Sequence, residues 1–342
     1  MIGSPPARAA GSAGAGFSPI DPVRAGWNPA ALADLLDYLQ AQRSTGVLIV
    51  QDRRVVAQKN WPLPPDAARF RASFVHGVSA DGALIEDVAS AQKSFVAVLA
   101  AIAIERGKLD VERPVAAYLG AGWSKASPEQ EAPIRVRHLL EMNSGLSERF
   151  TFEAAPGATF VYNTPAYALM KSVLAAAAGQ TLETISRDWL TTPLGMADTR
   201  WALRPAALAD VSNPTGLATT PRDLALLGQL VLDGGLTMQG KRVVSAKGLA
   251  ALFTPTATNP AYGRLWWLNG SAWAMKPMRL QIEGPLIPSA PWDLVAALGA
   301  SDRKLYVVPS RRLVIVRMGQ AAPDHQFDAE IWRRVIRAAP KP

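Results

Sequence analysis

The sequence predicts an α/β chain of the α+β type: an antiparallel sheet built from strands at both ends of the chain, flanked by helices, with an inserted mainly helical domain. Three observations lead there. Strand–turn–strand patterns occur near each end. The long middle places its apolar residues at helical spacing. The turns joining the terminal strands are so short that their neighbours must run antiparallel.

Taken in order, Met1 to Phe17 is rich in Ala, Gly, Ser and Pro and reads as a lead-in; residues 1–25 together are expected to form a flexible N-terminal segment. Asn28 to Gln42 reads as a helix. Asn28 can cap it, Pro29 suits the first position, and Leu32, Leu35, Leu36 and Leu39 recur on one face. Residues 46–51 and 55–59 alternate as two strands around Asp52-Arg53-Arg54. Residues 304–308 and 313–317 repeat that unit near the C-terminus, and Trp332 to Ala338 closes the chain as a helix. Between them lie helices over Val88–Arg106, Val136–Met142, Tyr167–Ala178 and Pro221–Leu232, each with glycine close behind it. The cheapest assembly joins 26–110 with 250–342 as the sheet-containing domain and leaves 111–249 as the helical one. A cleft is expected where the two meet.

Composition narrows the function. The 342 residues carry 36 Lys plus Arg against 28 Asp plus Glu, a net charge of +8. That charge is spread in pairs such as Arg53–Arg54 and Lys241–Arg242, without the clustered basic face that nucleic acid requires, so no nucleic-acid partner is expected. The absence of cysteine removes disulfides, thiolate metal sites and a thiol nucleophile. The three histidines, His76, His138 and His325, are too far apart in sequence for a His-based metal motif; no metal and no cofactor is implied. The longest apolar run, Phe95 to Ile104, is too short to span a membrane and fits a buried helix. No signal-peptide core precedes it. A cysteine-free chain suits an oxidising space, which leans the expectation toward the periplasm or secretion and leaves the cytoplasm open. Oligomeric state is not indicated.

Several motifs fail on inspection. Gly77-Val-Ser-Ala-Asp-Gly82 misses the Gly-x-Ser-x-Gly elbow by one residue. Gly235 to Lys241 imitates a phosphate loop, but Arg242 follows where Ser or Thr is needed, and helix precedes it where strand should; a surface turn is the better reading. His138, on a short helix, reads as a packing or surface histidine.

Ser90-Ala-Gln-Lys93 survives. At the first turn of a helix, residues three apart share a face, so the amine can sit beside the hydroxyl. A serine hydroxyl needs a base to become a nucleophile. Lysine titrates at about 10.4 in water, and burial lowers that by up to 3–5 units. The apolar run behind Lys93 supplies the burial, and the helix N-terminus adds a positive field. The bland alternative is an N-cap serine and a solvated lysine. The second Ser-x-x-Lys, Ser301 to Lys304, enters a strand, where the two side chains share no helical face. Tyr162, in a turn beside Asn163 and Thr164, offers a phenol that a cationic lysine would acidify; otherwise it is a core aromatic. Trp266, Trp267, Trp273 and Trp292 read equally as pocket wall or as core.

From about Gly26 to Gly319 the chain resembles the serine hydrolases related to class C β-lactamases, a group that includes DD-peptidases, esterases and 6-aminohexanoate-dimer hydrolases. Ser90-Ala-Gln-Lys93 carries the likeness together with Asp110 to Leu119, Val136 to Leu146, Tyr162, Pro193 to Thr199 and Thr220 to Ala225. The resemblance implies the β-lactamase/DD-peptidase fold and an acyl-enzyme on Ser90, with Lys93 and Tyr162 as proton carriers. It also implies an oxyanion hole from the backbone N–H groups of Ser90 and Ala300. Asn163, Thr164, Gly299 and Trp267 would contact substrate. Two positions depart from the pattern: Thr164 stands where Asn is usual, and Ala297 stands where a cation precedes Gly299. The second loss favours an esterase or amidase of neutral or small substrates over a true β-lactamase or DD-peptidase. A catalytically silent binding protein on the same fold is the remaining alternative.

Overall fold

The computed structural model describes residues 16–209 and 212–341. Strands β1 (Ser18–Pro19), β2 (Ser44–Gln51) and β3 (Arg54–Asn60) come first. β4 (Val75–Val78) and β5 (Leu84–Asp87) precede the helical middle, which contains β6 (Arg200–Leu203) and β7 (Thr215–Thr219). After it come β8 (Trp267–Leu268), β9 (Trp273–Lys276), β10 (Leu280–Glu283), β11 (Val295–Gly299), β12 (Arg303–Val308) and β13 (Leu313–Gly319).

The principal sheet has seven strands in the order β1-β3-β2-β13-β12-β11-β8. Its centre is the pairing that the terminal hairpins require: β2 lies antiparallel to β13, with Leu48 opposite Val316 and Val50 opposite Val314. Both faces are covered, which is why β12 and β13 read as nearly continuous apolar runs. Alternation along β12 sorts the covers. Tyr306 points to the C-terminal helix (Phe327–Ala338), its ring 5.4 Å from that of Trp332. Its neighbours Leu305 and Val307 point the other way, onto the helix Pro221–Leu232. There a Cβ on Gly228 would stand 2.9 Å from Leu305 and 2.7 Å from Val314, so the missing side chain lets helix and sheet close up. The first helix (Pro29–Ala41) is capped by Asn28, whose Oδ1 accepts from Ala31 N–H at 3.0 Å. It lies beside the C-terminal helix, tied by Arg337 to Asp34 at 2.9 Å.

Three features depart from the sequence reading. Of the residues expected to be flexible, 1–15 lie outside the described residues, but 16–25 are ordered: Phe17 is buried and β1 pairs parallel with β3. The Phe17 carbonyl also accepts from Arg222 at 3.0 Å. The helix Pro221–Leu232, drawn with the helical domain, packs on the sheet because its apolar face matches β12 and β13. A second sheet, β4-β5-β7-β6, had no visible signal; its strands are four or five residues long, and β5 finds β7 across more than a hundred positions.

Candidate active site

β5 delivers the chain to the centre of the molecule. Val88 N–H bonds to the Leu217 carbonyl of β7 at 3.0 Å, and Ala89 then turns with φ at 49°. The left-handed region costs a non-glycine residue on the order of 1 kcal/mol or more, so something must hold it. Asp87 does so. Its Oδ1 accepts the Ala89 N–H at 2.8 Å while both carboxylate oxygens take the Arg204 guanidinium, at 2.7 and 3.0 Å. Ser90 sits next, in a single 3-10 turn over Ala89–Ala91, and the helix Gln92–Glu105 follows. That helix is buried on every side from Gln92 to Ala103, as expected of a helix apolar all round.

Its first turn carries Lys93 into a dry position, 2% exposed. Lys93 Nζ lies 2.9 Å from Ser90 Oγ and 3.3 Å from Thr164 Oγ1. The rings of Tyr162 and Tyr167 flank it, with centroids 4.8 and 4.7 Å away. No carboxylate touches the amine among the described residues. Burial, with a smaller push from the Arg204 charge, brings Lys93 down to about 7. An amine that titrates there is free to act as a base at neutral pH.

The Tyr162 hydroxyl bonds to Ser90, and burial pushes it up to about 12 against the pull of that bond. This corrects the expectation of an acidified phenol: burial outweighs any charge nearby, and the lysine meant to lower it gives up its own proton from about 7 upward. Tyr162 is thus a neutral phenol near neutral pH. Its ring stacks on Trp267, with centroids 5.6 Å apart, and Tyr262 packs edge-on against Trp267 at 4.8 Å. Thr164 takes the place facing the amine. Asn163 does not face the site. It caps the helix Thr164–Ala178 through Ala166 N–H at 2.9 Å and spends its amide on the carbonyls of Leu146 and Ser147, at 2.8 and 3.0 Å. All its polar atoms are consumed by the fold, so its expected contact with substrate is replaced by a structural role.

The opposite wall is the end of β11. A Cβ on Gly299 would stand 2.3 Å from the Val88 carbonyl oxygen, so glycine is what lets this strand run against the serine turn. Ala300 follows and shares one cavity with Ser90, of about 360 Å³. Tyr162, Trp267 and Gly299 line it too, with Leu286, Ile287 and Leu298 as apolar walls and Lys276 and Asp328 at the edge. Of the four tryptophans considered, Trp267 alone lines this cavity. Trp266 is core against Phe253, and Trp292 is 65% exposed.

His138 is structural, as expected: Nδ1 accepts the Arg135 N–H at 3.0 Å, and burial brings the ring down to about 4. No group of three His, Asp or Glu residues suited to a metal occurs among the described residues, and no described helix is long and apolar enough to cross a membrane. Asp87, Arg204, Tyr167 and Lys276 escaped sequence reasoning. Asp87 precedes Ser90 by three residues, but its partner is 117 positions away; the others belong to elements that meet the site only after folding.

The family model for Beta-lactamase matches residues 32–339. Among solved structures, a proposed β-lactamase from Bacteroides dorei superposes with a TM-score of 0.69 at 13% identity, covering 91% of this chain and 99% of that one. A class C β-lactamase in complex with cefoxitin gives 0.67 at 18% identity, covering 93% and 99%. A proposed 6-aminohexanoate-dimer hydrolase from Bacillus anthracis gives 0.65 at 16%, covering 89% and 80%.

Proposed function

The chain belongs to the beta-lactamase family, and from that premise we propose that it is a serine hydrolase that cleaves an ester or amide bond through an acyl-enzyme on Ser90. The observation that carries this reading is the contact of Ser90 Oγ with an amine that is buried, unpaired with any acid and brought down to about 7.

Lys93 accepts the Ser90 proton as Oγ bonds to the substrate carbonyl carbon. The carbonyl π electrons move to oxygen, and backbone N–H groups of Ser90 and Ala300 stabilise that oxyanion; losing one such donor typically costs about 10²–10³-fold in rate. The proton passes through Tyr162 to the leaving alkoxide or amine as its bond to carbon breaks. Water, deprotonated by the same pair, then releases the acid and restores Ser90. Tyr162 is suited to relay because it bonds Ser90 on one side and faces the cavity on the other.

The test is hydrolysis of 4-nitrophenyl acetate together with labelling by a fluorophosphonate. Wild type should turn over and be labelled at Ser90, and Ser90→Ala should do neither. Activity retained by Ser90→Ala sinks the assignment. A folded wild type that resists labelling makes the protein a silent member of its family. Nitrocefin turnover at the rate of dedicated lactamases would place the substrate among β-lactams instead.

A further inference from the structure

We propose that the cavity beside Ser90 selects acyl groups that end in a carboxylate, and that Lys276 is the cation that reads them. The inference rests on Ser90 being the nucleophile and adds the substrate class. It also answers the cation missing at Ala297: positive charge reaches the pocket from a different element.

Lys276 ends β9, which pairs only with β10 and stands apart from the principal sheet. Side chains two apart on a strand share a face. Ala274 is fully buried, so the face it shares with Lys276 is the inward one. The residue between them is clamped. The buried side chain of Asn259 gives its amide to the Met275 carbonyl at 2.9 Å and accepts the Met275 N–H at 3.0 Å. The strand that presents Lys276 is therefore fixed before any ligand arrives, which cuts the ordering cost of binding.

The lysine has no hydrogen-bond acceptor among the described residues, although its charge acts on Asp328. Its ammonium makes no hydrogen bond and no ion pair among the described residues, although it lines the cavity. The nearest acid on the wall, Asp328, is already engaged: it takes Lys304 Nζ at 3.0 Å and the Tyr306 hydroxyl. Asp302 beyond it takes Lys304 at 3.2 Å and the Ala322 N–H at 2.9 Å. Two carboxylates thus share one ammonium, and Lys276 is the cation lining this cavity that is left, among the described residues, without a hydrogen bond or ion pair.

The rest of the cavity that Ser90 and Lys276 share is lined mainly by apolar side chains, among them Trp267, Leu286, Ile287 and Leu298. A ligand matching this lining has a carbonyl, a short hydrocarbon stretch and an anion. The field of Asp328 beside Lys276 opposes a second negative charge, so a carboxylate fits better than a phosphate dianion. Tyr162, the proton donor of the proposed mechanism, also borders a second cavity of about 540 Å³ whose lining includes Ser147, Arg149, Glu153 and Arg279. With the leaving group placed on that side, the anion falls to the acyl half, as in half-esters or half-amides of short dicarboxylic acids.

The experiment compares mono-4-nitrophenyl glutarate with 4-nitrophenyl pentanoate, which share a leaving group and nearly share a length. Wild type should prefer the glutarate. Lys276→Gln should lower kcat/KM for it by about 10- to 100-fold, mainly through KM, and leave the pentanoate within about twofold, the range expected for one charge-assisted contact. Lys276→Glu should favour 4-nitrophenyl 5-aminopentanoate. Equal losses on both esters, or a wild-type preference for the aminopentanoate, overturns the proposal. Calorimetry gives a readout without turnover. Ser90→Ala should bind monomethyl glutarate at least tenfold more tightly than the Ser90→Ala, Lys276→Gln double variant does. Equal binding overturns the proposal while turnover and labelling at Ser90 still stand; absent turnover and labelling with selective binding instead retires the nucleophile alone.

Discussion

Replacing Lys93 with methionine should stabilise the protein while abolishing acyl transfer. The amine is 2% exposed, touches no acid, and is held at about 7 against an ordinary 10.5. Keeping it there costs on the order of 5 kcal/mol of folding free energy at pH values below about 7. The sign follows from proton counts. Between pH 7 and 10.5 the unfolded chain binds this proton and the native chain does not, so native stability rises with pH across that window. Below about 7 the full cost applies; near 10.5 it vanishes. Methionine fills the slot between the two tyrosine rings without a charge to desolvate. The variant should therefore exceed wild type by several kcal/mol at pH 6, less the lost bonds to Ser90 and Thr164 at about 1 kcal/mol each, and the gap should close toward pH 10. Urea denaturation of both proteins at pH 6, 8 and 9.5 measures it, because other titrating groups cancel in the difference. Stability curves that stay parallel over that range would refute the buried neutral amine and with it the base.

Other consequences can be checked singly. In wild type, kcat/KM should rise with pH and reach half its plateau near pH 7, as Lys93 loses its proton. Arg204→Gln removes a cation that disfavours that proton and bares Asp87, so the limb should move to higher pH; an unmoved limb excludes the coupling. Asn163→Ala should cost about 2–3 kcal/mol in urea, from a lost helix cap and two stranded carbonyls, with KM unchanged. Gly299→Ala puts a methyl 2.3 Å from the Val88 carbonyl and should lower kcat at least tenfold in a protein whose circular dichroism is unaltered.

What could be known from the chain by itself was whatever depends on neighbours in sequence. Helical geometry places residues three apart on one face, so Ser90 and Lys93 met as their spacing implied. The cap of Asn28 and the alternation of the terminal strands are local in the same sense, and they were enough to give four of the principal sheet's seven strands. Tertiary structure decided the rest, because burial and long-range register are properties of packing. Asn163 looked like a site residue by position and proved to be a cap, since its neighbours Leu146 and Ser147 offered carbonyls that the sequence could not show. Tyr162 looked like an acid and proved to be a neutral phenol, since the amine beside it had been desolvated. Arg204 reached Asp87 through a sheet of strands too short to leave a pattern, and Lys276 reached the pocket on a hairpin whose inward face is defined only by what buries Ala274. Spacing along a chain can propose which groups react; the dielectric around them, and which charges stand near, exist only once distant segments have come together.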